Sequence, residues 1–489
     1  MDVPIPQLLD AINGWAIGDG ALYTRLATAL GDAIEDGRLA PGHRLPAERQ
    51  LSVDLAVSRS TVASALEELE RRELVARRQG SGTYVRSITR PPADGRRELV
   101  HELDEHALLR DLSGGPVASI ELLAAAVDCA PEVRTAMADL DEHEIRRWTA
   151  GHGYVPLGLP PLREEIARHL SDHGLATAPD QVMVTTGAVE AVLLAGRLFV
   201  EPGDPVAVEA PSYIGALDVL RSIGGRLLGV DVDGHGARTD QLAALMTRSL
   251  PRIVYLIPDF QNPTGAVLSA ARRREVARLA AEFRVPVIED LVQHDLWFER
   301  EPPPPIAAVD PEAPVLTLGS MSKVFWGGLR IGWVRADPAT IERLGRIKTV
   351  TNYGTPAIDQ LVSTRLLPRT DEVAARRREQ LARRLARLQD AMRTHLPDWT
   401  WRSPAGGLSL WIRLPAPDAP ALVRAAERHG VALATGASFG LAAGDHRDHV
   451  RLPFVAAPDA IAEGVRRLAA AWNDVARGRD RGSPRAVVV

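Results

Sequence analysis

Cysteine is almost missing from this chain: Cys129 is the single thiol among 489 residues. One thiol cannot close an internal disulfide, and it excludes a cysteine-rich metal centre; no metal site is expected, and the expected compartment is a reducing cytoplasm. Cys129 itself reads as a small buried apolar residue. Long apolar runs are also lacking. Charges such as Arg197 cut every candidate short of the roughly 18 residues that a membrane helix needs, so no membrane partner is expected. The opening Met-Asp-Val-Pro has neither the basic start nor the apolar stretch of a secretory signal. A net charge of −5 excludes a bulk-basic nucleic-acid coat. The most telling scarcity is lysine. Lysine and arginine together number 58, yet only Lys323 and Lys348 are lysines. Arginine keeps its charge at any accessible pH, whereas lysine can shed a proton and act as a nucleophilic amine. Both lysines are therefore the first places to look for chemistry.

What is present is ordinary for a globular protein: 45% apolar and 25% charged residues, in a length that suits about three domains. The texture changes along the chain. Residues 14–86 read as short helices followed by a hairpin. Residues 87–117, punctuated by Pro91, Pro92, Gly95, Gly114, Gly115 and Pro116, read as a linker. Residues 118–477 alternate strands with helices, and residues 478–489 read as a disordered tail. Expected strands lie at Gln181–Thr186, Pro205–Glu209, Ile253–Pro258, Pro286–Asp290 and Leu316–Gly319. Helical runs such as Ala188–Val200 and Ser269–Phe283 intervene. Such alternation implies βαβ units and a mostly parallel sheet covered on both faces, with ligands at the carboxyl ends of the strands.

In the first region, helices at Leu22–Gly37, from Ala47 and from Ser58 to Arg72 precede a hairpin with the basic tip Arg77-Arg-Gln-Gly-Ser-Gly82. Ser58 is the N-cap candidate of the third helix, which buries Val62, Leu66 and Leu69. Helix, turn, helix and basic wing form a kit for reading the major groove while the wing touches phosphates. Leu45-Pro-Ala-Glu-Arg49, Val57-Ser-Arg-Ser-Thr-Val62 and Gly80-Ser-Gly-Thr-Tyr-Val85, in that order, resemble the GntR-type winged helix-turn-helix. The resemblance implies DNA contacts at Arg49, Ser58, Arg59, Ser60, Thr61 and Gly80, and a double-stranded operator as partner. The region carries 11 arginines against 12 acidic residues up to Arg90, so binding must come from clustered charge and from dimerisation.

In the long region, Lys323 stands in Gly319-Ser-Met-Ser-Lys-Val-Phe-Trp-Gly-Gly-Leu-Arg-Ile-Gly332, just past an expected strand. An amine shielded there could form a Schiff base with a cofactor aldehyde. Ser320 and Ser322 offer hydroxyls, and Arg330 a bidentate phosphate clamp. Thr186-Gly-Ala188 opens a helix whose free N–H groups suit a phosphate. Asn262, in Pro258-Asp-Phe-Gln-Asn-Pro-Thr-Gly265, can donate to a phenolate oxygen. Asp290 ends an apolar strand, where a carboxylate needs a partner such as a pyridinium N–H. Tyr213 can supply an aromatic face.

This constellation resembles the fold-type-I aminotransferases. The resemblance implies pyridoxal 5′-phosphate (PLP) as cofactor and an α/β fold of large and small subdomains with a mostly parallel sheet. It makes Lys323 the Schiff-base lysine, Asp290 the partner of the pyridine nitrogen and Asn262 the partner of O3′. Gly187, Ala188, Ser320, Ser322 and Arg330 fall at or beside the phosphate, and Tyr213 at the ring-stacking position. Tyr154 matches a tyrosine that reaches a neighbouring subunit's phosphate, and Arg451, in His449-Val-Arg-Leu-Pro-Phe454, the arginine for a substrate or effector carboxylate. Two departures stand out: Val292 or Gln293 occupies the place of a tyrosine that usually bonds O3′, and Gly327 replaces a common proline. Efficient transamination is thus less expected than binding. With the winged helix ahead, the chain resembles the MocR/GabR-type transcription regulators, which implies a homodimer in which an amine or amino-acid effector, or PLP itself, alters operator binding through the Lys323 site. The alternative is a PLP-dependent aminotransferase carrying a DNA-binding-like appendage. Lys348 is expected either to approach DNA or to be solvated.

Overall fold

The computed structural model describes residues 5–12, 15, 21–35, 38, 39, 43–71, 74–78, 82–85, 120–416, 418–442 and 444–478. The expected linker, the tail beyond Gly478 and the candidate Gly80 lie outside them. The described residues fall into two compact units, which are treated separately.

The N-terminal unit packs helices Leu22–Glu35, Glu48–Asp54 and Arg59–Arg71 against an antiparallel hairpin in which Val75 faces Val85. Its core joins Leu26, Leu30 and Leu51 to Val62, Leu66 and Leu69, all essentially sealed from solvent. The last three recur at spacings of four and three, the stripe that turns one face of a helix inward.

The second unit is built on an eight-stranded mixed sheet. Its order is Val182–Thr185, Gly332–Arg335, Val315–Ser320, Val287–Asp290, Ile253–Leu256, Pro205–Ala210, Arg226–Asp233 and Gly236–Ala237. The run from Val315–Ser320 to Arg226–Asp233 is parallel, while Gly332–Arg335 is antiparallel to both its neighbours. Strands Val182–Thr185, Ile253–Leu256 and Val287–Asp290 are buried at every position, as strands covered on both faces must be. Helices Ala188–Phe199 and Ala270–Phe283 are among those that cover it.

A five-stranded sheet follows, ordered Thr400–Trp401, Ser409–Arg413, His449–Pro453, Val431–Thr435 and Ile120–Leu122. Helices Thr370–His395, Ala419–Arg428 and Pro458–Ala476 pack with it. Arg451 sits in its central strand, opposite Trp411 on one side and Ala434 on the other. Among the described residues no helix is long and apolar enough to cross a membrane. Cys129 departs from its expected burial and is exposed, because the segment after Val127 runs over the surface before the helix Pro131–Ala138 begins.

Candidate functional site

The carboxyl ends of the central strands bring the candidates of the second unit together. The amine of Lys323 follows strand Val315–Ser320, is half-buried, and donates to the Ala125 carbonyl at 2.8 Å. Desolvation and the nearby Arg451 cation push it down to about 8, while Asp290 pulls the other way. Asp290 is buried at the end of its strand. Its two oxygens accept from the Tyr255 hydroxyl at 2.8 Å and from the Val292 N–H at 3.0 Å. Burial raises its carboxyl, and these two donors and the Lys323 charge partly offset that. The neighbouring Glu289 faces away, as strand alternation requires. It accepts from Ile306 N–H, Ala307 N–H and the Thr317 hydroxyl, so it is structural.

Tyr213 feels Asp290, Arg451 and Arg330 electrostatically, and burial raises its phenol. Asn262 lies in the turn after strand Ile253–Leu256, and its side-chain oxygen accepts from Arg451 Nη1 at 3.3 Å, leaving its amide N–H groups to donate. Arg451 is buried, donates to the Leu123 carbonyl and lies 4.8 Å from the Phe439 ring centre.

At the other end is an anion cradle. Gly187 caps helix Ala188–Phe199 with φ +82°, a conformation open to glycine, and a Cβ there would stand 2.9 Å from Arg330 Nη2. Arg330 donates from that nitrogen to the Thr186 carbonyl at 2.8 Å. Ser320 Oγ lies 2.9 Å from Ser322 Oγ and takes the Ser322 N–H at 3.2 Å. A doubly charged phosphate suits this end: helix N–H groups, two hydroxyls and a guanidinium meet there without an added side chain in the way. An aromatic ring with a protonated nitrogen suits the Asp290 end, and an aldehyde suits Lys323. The donor set fits PLP.

Not every candidate joins this cluster. Tyr154 is exposed and stacks instead on His152 and Tyr353, with ring centres 5.5 and 5.2 Å away. Gln293 turns from the site: its amide donates to the Phe260 carbonyl at 3.0 Å. Lys348 overturns both expectations for it, since it is fully buried and paired with Glu190 at 2.7 Å. Three further residues escaped the sequence reading. Tyr255 holds Asp290. Glu209 is buried beside the site and driven up to about 8, chiefly by desolvation. Asp259, beneath the Asn262 turn, binds both Arg273 and His294. Only the glutamate and aspartate in strand-end positions gave any signal, and it was that of a buried carboxylate in need of a partner.

In the N-terminal unit, Ser58 caps helix Arg59–Arg71 by accepting the Thr61 N–H at 3.1 Å. Ser60 Oγ and Thr61 Oγ1 lie 2.8 and 2.7 Å from the same hydroxyl. Ser58, Arg59 and Ser60 are exposed at this helix start with Thr61 half-buried, and Arg49 is exposed on helix Glu48–Asp54.

Two family profiles match the chain. Aminotransferase class I and II covers residues 121–469, and bacterial regulatory proteins, gntR family, covers 22–85. An uncharacterized HTH-type transcriptional regulator of Bacillus subtilis, YisV, is 32% identical over 81% of this chain and 84% of its own. The HTH-type transcriptional regulator TauR of Rhodobacter capsulatus is 28% identical over 93% of this chain and 97% of its own. Among solved structures, the α-aminoadipate aminotransferase LysN of Thermus thermophilus, complexed with N-(5′-phosphopyridoxyl)-L-leucine, is similar with a TM-score of 0.67 at 30% identity, over 76% of this chain and 95% of that one. With a gntR-family unit followed by an aminotransferase body, the chain belongs to the aminotransferase class I and II family and, taken whole, to the MocR/GabR-type transcription regulators.

Proposed function

We propose that this regulator reads an operator with residues 14–86 and senses an amine or amino acid with residues 118–477, the stretch 87–117 serving as linker and 478–489 as tail. The observation that carries the reading is the Lys323 amine, shifted to about 8 and set between the Asp290 carboxylate and the Arg330 cradle. PLP, when bound there, supplies an aldehyde that can exchange the lysine amine for a ligand's amine. The chain's own residues do the rest. Lys323 provides a neutral amine without needing extreme pH. Asp290, steadied by Tyr255, keeps a proton on the ring nitrogen. Asn262 donates toward O3′, Tyr213 covers the ring, and Gly187, Ala188, Ser320, Ser322 and Arg330 hold the phosphate. Arg451 offers its guanidinium to an effector carboxylate. Arg49, Ser58, Arg59, Ser60, Thr61 and Gly80 meet the DNA. The phosphopyridoxyl ligand of LysN and the regulatory name of TauR support these roles.

We also propose a homodimer. Tyr154 and Tyr353 stack on each other while both stay more than half exposed, which suits a surface completed by a second copy. Gln293 is turned to the Phe260 carbonyl and supplies no phenol where one would assist turnover, which favours sensing over transamination. The test is a visible absorption spectrum of the protein with PLP, repeated with candidate amines and with Lys323→Ala, alongside operator binding. A lysine-dependent band that amines shift, together with altered operator affinity, is the expected result. Multiple-turnover transamination with no change in DNA binding would overturn it.

A further inference from the structure

The chain uses lysine twice, and the second lysine is sealed. Lys348 has no exposed surface, and its ammonium donates to both oxygens of Glu190 at 2.8 and 2.7 Å. Glu190 stands in the first turn of helix Ala188–Phe199, the helix that opens onto the anion cradle. The same carboxylate accepts the Thr186 N–H and the Asn352 side-chain amide. On its other side, the Thr186 residue gives its carbonyl to Arg330. The cradle's entry is thus gripped by a carboxylate at its N–H and by a guanidinium at its C=O.

An acid in a helix's first turn is favoured by the dipole, but it competes with any anionic ligand for the same field. Left alone, Glu190 would repel a phosphate seated two residues earlier. Lys348 meets that carboxylate as a compact point charge with three donors, two of them accounted for by the Glu190 oxygens. We propose that Lys348 is a positioning residue of the phosphate site. It cancels the Glu190 charge so that Glu190 can hold the Thr186 peptide without expelling the phosphate. This inference rests on the reading that PLP is the ligand of the Lys323 site.

The test compares PLP with pyridoxal, which has the aldehyde and ring but no phosphate, by absorbance titration of the full chain. The unaltered chain should bind PLP much more tightly. Lys348→Met leaves the Glu190 charge without its countercharge, and should weaken PLP at least about tenfold while leaving pyridoxal nearly unchanged. Adding Glu190→Gln to Lys348→Met removes the stranded charge and should recover most of the lost PLP affinity. Glu190→Gln alone, the fallback if the single lysine variant does not fold, should bind PLP as well as the unaltered chain or better. Equal losses for PLP and pyridoxal in Lys348→Met, no recovery in the double variant, or a selective loss of PLP in Glu190→Gln would each overturn the proposal. Equal affinity of the unaltered chain for the two aldehydes would instead overturn the cofactor reading beneath it.

Discussion

A lysine held at about 8 costs the fold something, and the cost has a definite pH window. Its ordinary value is 10.5, so below about 8 the amine is charged in both the folded and the unfolded chain, and the desolvation cost is fully present. As pH rises from there toward 10.5 the folded form releases its proton first, and the cost disappears. Lys323→Met should therefore stabilise the cofactor-free chain by about 1–3 kcal/mol at neutral pH, with the gain fading near pH 10.5. Urea melts at both pH values check this; a gain that does not change with pH would mean that Met merely packs better. Tyr255 makes the opposite kind of contribution. Tyr255→Phe removes one of the two donors on buried Asp290 and should cost about 1–3 kcal/mol, measured by the same melts. Composition was enough to single out Lys323, and strand-end position to single out Asp290. The same composition flagged Lys348, but its pairing, like Tyr255 altogether, was invisible because each acts through a partner far away in sequence, Glu190 and Asp290, and no local pattern announces such a contact.

The expected strands at Pro205–Glu209, Pro286–Asp290 and Leu316–Gly319 appear within one or two residues, since short β-branched runs between turn residues have few other ways to bury themselves. Strand Gly332–Arg335 went unseen because its four residues, Gly-Trp-Val-Arg, are too few for a strand period to stand out beside the glycine-rich loop before them. Elements are held at the site by side chains of the turns between them. The turn carrying Asn262 is fastened to the turn after Asp290 by His294 on Asp259, at 2.8 Å. Burial alone would lower the imidazole, but Asp259 outweighs it and raises His294 to about 9 from 6.5. The pair's stabilisation is then complete below pH 6.5 and lost as pH rises through 9. His294→Gln should flatten the stability profile between those values, which melts at closely spaced pH steps would show. At the other end of the chain, Ser58 serves its helix first. Ser58→Ala should cost the N-terminal unit about 1 kcal/mol by loss of the cap, whereas Arg59→Ala should leave stability unchanged and weaken DNA binding. Thermal melting and operator titration separate the two effects.

For the whole molecule, the two units are joined by sequence, and any signal between them must be a free energy that an amine distributes unequally between two states of the chain. The ligand cannot shift operator affinity by more than its own preference for one state, typically about 5- to 150-fold in such couplings. That bound separates two tasks that a single variant can test. Lys323 belongs to the second unit, whereas the polar residues around Ser58 and Arg59 belong to the N-terminal one. Lys323→Ala should therefore keep operator affinity within about threefold of the unaltered chain when no amine is present, a difference of well under 1 kcal/mol. Titrating the same variant with an amine that changes operator binding of the unaltered chain should then produce no response. By reciprocity, operator DNA should change the unaltered chain's affinity for that amine by the same factor by which the amine changes its affinity for DNA. Fluorescence anisotropy of labelled operator measures one side, and absorbance of the lysine-dependent band measures the other. Unequal factors would mean that the amine acts on DNA binding from somewhere other than the pocket around Lys323.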